Sequence, residues 1–125
     1  MNENEISYDI RGAAFKVHTT LGPGLLESVY EIALAHELKK MGYEGKSQVG
    51  LPVVYDDIKL EMGYRIDLLI NDLVIIEIKS VDALADVHHK QLLTYLKLSG
   101  KKLGLLINFN VSSLKESIIR IVNNL

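Results

Sequence analysis

The chain has 125 residues with a hydrophobic fraction of 48%, enough for a buried core in one domain, and this composition excludes a disordered chain. Its net charge of −2 argues against tight nucleic-acid binding by bulk electrostatics, although a local basic rim remains compatible with it. The absence of cysteine excludes disulfides, iron–sulfur clusters and thiolate zinc sites, and no apolar run approaches the roughly 18 residues of a membrane helix.

The opening, MNENEISYD, is acidic and lacks the basic n-region of a secretory signal, so a cytoplasmic protein with no membrane partner is expected. Ile6, Ile10, Ala13, Ala14, Val17 and Leu21 recur at steps of three and four, which predicts an amphipathic helix over residues 6–21. His18, beside that stripe, reads as a packed or surface residue. Gly22-Pro23-Gly24 breaks the helix. A second helix is predicted from about Leu25 to Met41, with Leu26, Val29, Tyr30, Ala33, Leu34, Leu38 and Met41 apolar and Gly42 as its stop. Glu27 extends the line of Tyr30, Leu34, Leu38 and Met41 toward the interior, which makes it a candidate site residue. Its alternative role is a favourable charge at the helix N-terminus. Glu31, Glu37, Lys39 and Lys40 read as the solvated face.

From Ser47 to Met62 the pattern turns to period two, with Asp56-Asp57 as a turn and Pro52 marking an edge strand. The next stretch, GYRIDLLINDLVIIEIKS from Gly63 to Ser80, reads as two strands, Tyr64 to Ile70 and Leu73 to Lys79, joined at Asn71-Asp72. Asp67, Glu77 and Lys79 interrupt its apolar run, and Glu77 and Lys79 share one face. Charges buried in such strands are costly unless they are paired or hold a metal. Two carboxylates and a lysine are the inventory for holding Mg²⁺ and managing a nucleophilic water. A salt bridge between Lys79 and Glu77 is the alternative. A two-residue turn would pair Asp67 with Ile76 and send Asp67 and Glu77 to opposite faces. A joint site therefore requires a three-residue turn, with Asn71 or Asp72 in the left-handed region, or a β-bulge.

Asp82 to Asp86 form a polar lead-in to a third helix, Asp86 to Ser99, whose inner stripe is Leu84 or Val87, then Gln91, Tyr95 and Leu98. A glutamine on that stripe needs hydrogen-bond partners and should face a polar group in the interior. His88 and His89 point about 100° apart on a helix and do not easily serve one metal, so at least one is expected in solvent. Leu103 to Phe109 reads as a short strand, and strand–helix–strand implies right-handed, parallel pairing beside the Glu77 strand. Ser112 or Ser113 is expected to cap a last helix through Ile118, Ile119 and Val122.

This order of elements, with Glu27, Asp67, Glu77-x-Lys79 and Gln91-x-x-x-Tyr95 at its polar positions, resembles the PD-(D/E)XK nuclease superfamily. More narrowly, Gly24-x-x-Glu27-x-x-Tyr30 resembles the small bacterial group of GxxExxY proteins. The resemblance runs from about His18 to Arg120 and implies an α/β, restriction-endonuclease-like core: a mixed four-stranded central sheet flanked by helices, with the site at one end. It implies that Asp67, Glu77 and the carbonyl of Ile78 bind Mg²⁺ or Mn²⁺, joined by Glu27 directly or through water. Lys79 would position or activate water, Gln91 would orient the site and Tyr95 would support it. Ile66 stands where the family pattern has proline.

The expected function is metal-dependent hydrolysis of phosphodiester bonds in DNA, with RNA in second place. The alternative is a nuclease-like accessory module that binds nucleic acid or a protein partner without cutting. A third reading is a structural domain with a buried ion-pair network. Glu27 and Gln91 should converge on Asp67 and Glu77 if both helices flank the sheet, and so small a chain with little basic surface is also a candidate homodimer.

Overall fold

Asn2 starts the first helix by accepting the Glu5 N–H on its side chain at 2.9 Å, and α1 runs Glu3–Leu21. Gly22, at φ 72, closes it by turning its N–H onto the His18 carbonyl at 2.8 Å. The structure is a computed structural model that describes residues 2–60 and 63–125. Glu61 and Met62, read above as the end of the period-two stretch, lie outside the described residues. After α1 come α2 (Glu27–Lys40), β1 (Gly45–Gly50), β2 (Val53–Tyr55), β3 (Ile58–Leu60), β4 (Arg65–Ile70), β5 (Val74–Lys79), α3 (Asp86–Ser99), β6 (Leu103–Asn108) and β7 (Ile118–Val122).

Five strands form a mixed sheet in the order β1-β4-β5-β6-β7, and β2 pairs with β3 in a separate ribbon. The β5–β6 pair is parallel, with α3 as its crossover, and the other pairs are antiparallel. β5 and β6 read VIIEIK and LGLLIN because they are the central strands and are buried on both faces. On one face, Ile6, Ile10, Tyr30 and Leu34 from α1 and α2 pack over Leu68, Ile76 and Leu105. On the other, Leu92, Tyr95 and Leu96 of α3 pack over Leu69, Ile75 and Leu106. A side chain at Gly104 would meet Leu92 Cδ1 at 2.9 Å, so a glycine in β6 lets α3 approach this closely. The result is the α/β, restriction-endonuclease-like arrangement of a mixed sheet flanked by helices. Among the described residues, no helix is long and apolar enough to cross a membrane.

The expected last helix is not formed. A 3₁₀ turn, Leu114–Glu116, leads instead into β7, which pairs Ile118 with Ile107 and Val122 with Leu103. Ile118, Ile119, Ile121 and Val122 are β-branched, and the free edge of β6 offers them backbone partners that an isolated helix lacks. The sheet therefore has five strands where the resemblance implied four. Helix faces also shift. In α2 only Tyr30, Leu34 and Leu38 are buried, while Leu26, Val29 and Met41 are exposed. In α3 the buried residues are Leu92, Tyr95 and Leu96, so the inner face centres one residue beyond Gln91 and leaves Leu98 exposed. Pro52 falls in the break between β1 and β2, where no ladder donor is required.

Candidate active site

The β4–β5 hairpin decides whether the acidic residues meet. Asn71 and Asp72 both take left-handed φ values, 51 and 57, and the Leu73 N–H bonds to the Ile70 carbonyl at 3.0 Å. The register is Ile70↔Val74, Leu69↔Ile75 and Leu68↔Ile76, so three residues form the loop and Asp67 comes opposite Glu77. Asn71 also exchanges two hydrogen bonds with the backbone of Glu44, its Oδ1 accepting at 2.9 Å and its N–H donating at 2.8 Å. The turn is thereby tied to the start of β1.

Beyond the Leu68↔Ile76 rung, side chains take over the pairing. Glu77 Oε2 accepts the Asp67 N–H at 2.9 Å, and Asp67 Oδ2 accepts the Ile78 N–H at 2.8 Å. Each carboxylate covers a backbone donor of the other strand and keeps a second oxygen. The N–H and C=O of one extended residue point to the same side, so the Ile78 carbonyl also faces β4. Glu77 is only 5% exposed. Burial, then the charge of Asp67, pushes its pKa up to about 8. Burial also raises Asp67, against the opposing pull of the Ile78 N–H, the Gln48 amide and the Lys79 charge. Lys79 follows Glu77 on the same face and is half-buried. The ion pairs among the described residues use Lys16, Lys40, Lys46, Lys90 and Lys101, so the Lys79–Glu77 salt bridge is not formed.

Glu27 arrives from α2. It is exposed rather than interior, and its Oε2 accepts the Ser80 N–H at 3.3 Å, just past the end of β5. Its charge reaches Asp67, whose pKa it raises. Tyr30 sets this placement. Its ring stacks on Phe109 with centroids 4.5 Å apart, its hydroxyl donates to the Gly22 carbonyl at 2.7 Å, and it accepts the Leu25 N–H at 3.1 Å. Ser80 Oγ adds a 2.7 Å bond to the Leu25 carbonyl. The segment Gly24-x-x-Glu27-x-x-Tyr30 thus works as a clip that docks the Gly-Pro-Gly turn on the carboxylate end of β5.

Tyr95 of α3 is buried. Its phenol is raised by burial first and then by Glu77, which puts it in the field of the carboxylates, and its ring lies 6.4 Å from that of Tyr64. Gln91, one turn earlier, is half-buried and hydrogen-bonds to none of the described residues, so no direct contact brings it to the carboxylates. Three of the four histidines hydrogen-bond to the backbone. His18 Nε2 bonds to the Val111 carbonyl at 2.8 Å, His88 Nδ1 accepts the Ala85 N–H at 2.9 Å at the start of α3, and His89 Nδ1 lies 3.1 Å from the Ala85 carbonyl.

Sequence reasoning missed Gln48, Glu31 and Asn108. Gln48 Nε2 donates to Glu31 Oε1 at 2.7 Å and to Asp67 Oδ1 at 3.4 Å. Glu31 is therefore half-buried beside the site, not part of the solvated face, and burial raises its pKa. A signal was present: Glu31 follows Glu27 by four residues, on the same side of the helix. Asn108, paired with Lys79 in the ladder, accepts the Val81 N–H at 3.1 Å and donates to the Val81 carbonyl at 2.9 Å. It holds the chain leaving Lys79.

Among the described residues, no group of three or more His, Cys, Asp or Glu side chains is arranged to hold a metal ion. Mg²⁺ nevertheless suits the donors, since it takes one or two carboxylates and completes its shell with water and substrate phosphate. Asp67 Oδ1 and Glu77 Oε1 are the oxygens not engaged by the backbone, and a half-buried aspartate beside a buried glutamate is the environment a hard divalent ion would relieve.

A family model described as the PD-(D/E)XK nuclease superfamily matches residues 4–121. The chain belongs to that superfamily. The matched span includes the β4–β5 hairpin, whose three-residue loop sets Asp67 opposite Glu77. No curated protein and no solved structure gives a significant match.

Proposed function

We propose that this nuclease-family protein hydrolyses phosphodiester bonds of DNA, and of RNA in second place, with Mg²⁺ or Mn²⁺ as cofactor. The reading rests on the crossed pairing of Asp67 and Glu77: two carboxylates share one face, are desolvated and are offset by no ion pair, with the half-buried Lys79 next in line. A divalent cation bound by Asp67 Oδ1, Glu77 Oε1 and the Ile78 carbonyl would supply Lewis-acid polarisation of the scissile phosphate. Lys79 carries a positive charge to the same face and stabilises the negative charge that develops on the phosphoryl oxygens. Glu27, fixed by Ser80, holds a further acceptor at the open end of the site, and Tyr95 closes the α3 side against water. Gln91, whose amide hydrogen-bonds to none of the described residues, lies one turn from Tyr95 and would orient substrate or water there.

The finer placement among GxxExxY proteins is part of this proposal and rests on the clip formed by Gly24, Glu27 and Tyr30. A cytoplasmic setting fits the cysteine-free composition. Exposed Leu26 and Ile32 on α2 fit a homodimer, which analytical ultracentrifugation would detect. A nuclease-like module that binds without cutting is the second reading, supported by the net charge of −2. One experiment separates the two: cleavage of a panel of DNA and RNA substrates with Mg²⁺, Mn²⁺ or EDTA, wild type beside Lys79→Ala. Metal-dependent cleavage that Lys79→Ala abolishes supports the nuclease. Binding without cleavage on every substrate sinks it in favour of the accessory module.

A further inference from the structure

The β1–β4 ladder pairs Ser47 with Leu68 and Val49 with Ile66, but the intervening Gln48–Asp67 rung is missing. Gln48 there has φ 54, a left-handed conformation that a residue with a β-carbon adopts only at a cost. The alternation of faces breaks at the facing residue too: Ile66 packs on the α3 side and Leu68 on the α1–α2 side, two positions apart. This irregularity delivers the Gln48 amide between two carboxylates, 2.7 Å from Glu31 Oε1 and 3.4 Å from Asp67 Oδ1, while its carbonyl accepts from Arg65 Nη1 at 3.3 Å. An amide is suited to that place because it donates to both carboxylates and adds no charge. The other Asp67 oxygen, Oδ2, is already held by the Ile78 N–H. Gln48 therefore governs the oxygen that remains for a ligand.

We propose that Gln48, anchored by Glu31, is a positioning residue that fixes Asp67 Oδ1 for a divalent cation, an inference that rests on the metal-dependent reading above. Backbone strain is kept at Gln48 because a relaxed strand would not carry its amide to both partners. Glu31 acts on the amide and not on the cation.

Asparagine tolerates the left-handed backbone but is one methylene shorter, so Gln48→Asn keeps the strand and loses the bridge. Its melting temperature in EDTA should stay near that of wild type. The Mg²⁺ or Mn²⁺ concentration that gives half of the metal-induced rise in melting temperature should increase about 10–100-fold, the usual effect of losing an outer partner of a ligand. Glu31→Gln keeps an acceptor for the amide and should remain close to wild type, whereas Glu31→Ala should match Gln48→Asn. An unchanged metal midpoint in Gln48→Asn overturns the positioning role. A loss in Glu31→Gln as deep as in Glu31→Ala overturns it in favour of Glu31 as a direct ligand. If wild type itself shows no metal response, the metal-dependent reading has failed separately, and crystal structures of the metal-free wild type and Gln48→Asn decide the rest. An Asp67 carboxylate turned away in the variant upholds the positioning; an unmoved one overturns it.

Discussion

Glu37 and Glu77 are the same side chain under opposite electrostatics. On α2, Glu37 sits between Lys16 at 2.6 Å and Lys40 at 2.8 Å, and those two hydrogen-bonded ammonium groups hold its pKa down to about 2. Glu77 faces Asp67 with no ion pair to offset it, and burial pushes it up to about 8. Their linkage to folding has opposite signs. Glu37 binds its proton less tightly in the folded state, so its stabilisation is present above the ordinary value of 4.5 and is lost as pH falls toward about 2. Glu77 binds its proton more tightly when folded. Its stabilisation is full below 4.5 and is lost as pH rises through about 8. The lysines around Glu37 serve stability. Glu77 instead loses stability as it ionises, because burial and the Asp67 charge oppose its charged form.

The sharpest way to break this contrast is to exchange the fates of the lysines. Lys79→Ala should lower metal-dependent cleavage about 10²–10³-fold, as removal of one transition-state charge donor does, with little change in melting temperature. Lys16→Ala should leave initial cleavage rates intact and cost a little stability, on the scale of an exposed ion pair. A Lys79→Ala protein that still cleaves and loses only a little stability would put Lys79 in the same class as Lys16.

Saturating metal comes next in size. At a free concentration about 100 times its Kd, Mg²⁺ or Mn²⁺ should stabilise the wild type by about 2.7 kcal/mol, and Glu77→Gln should lose this response. Calorimetric melts with metal and with EDTA measure it. A full response in the variant would remove Glu77 from the ligands.

Without metal, Glu77→Gln should be as stable as wild type or more so at about pH 8. Its stability should also lack the decline that wild type shows between about pH 4.5 and 8. A buried ion pair predicts the opposite, a loss of about 3–5 kcal/mol. Urea titrations in EDTA across that range discriminate the two. Glu37→Gln should show the smallest effect: a slight loss above pH 4.5 that vanishes toward about pH 2, with no change in cleavage. Coincident pH–stability curves for the two glutamine variants would erase the comparison.

What the sequence determined by itself was local. Period-two alternation put Glu77 and Lys79 on one face, and the parity of residues 67 and 77 demanded a three-residue loop, which Asn71 and Asp72 supply. Helical periodicity located α1, α2 and α3 to within a few residues. These features depend on neighbours along the chain, and neighbours are what a sequence displays. Tertiary structure decided the rest. Ile118 to Val122 form a strand because β6 presents a free edge, and Leu92 displaces Gln91 from the centre of α3 because Gly104 leaves a recess for it. Glu27 works from the surface, through Ser80, since Tyr30 anchors the turn before it on Phe109. Gln48 joins Glu31 and Asp67 across separations of 17 and 19 residues, where α2, β1 and β4 meet. No periodicity encodes such a meeting, because it exists only after the helix has packed on the sheet and the strained backbone at Gln48 has turned its amide between the two carboxylates.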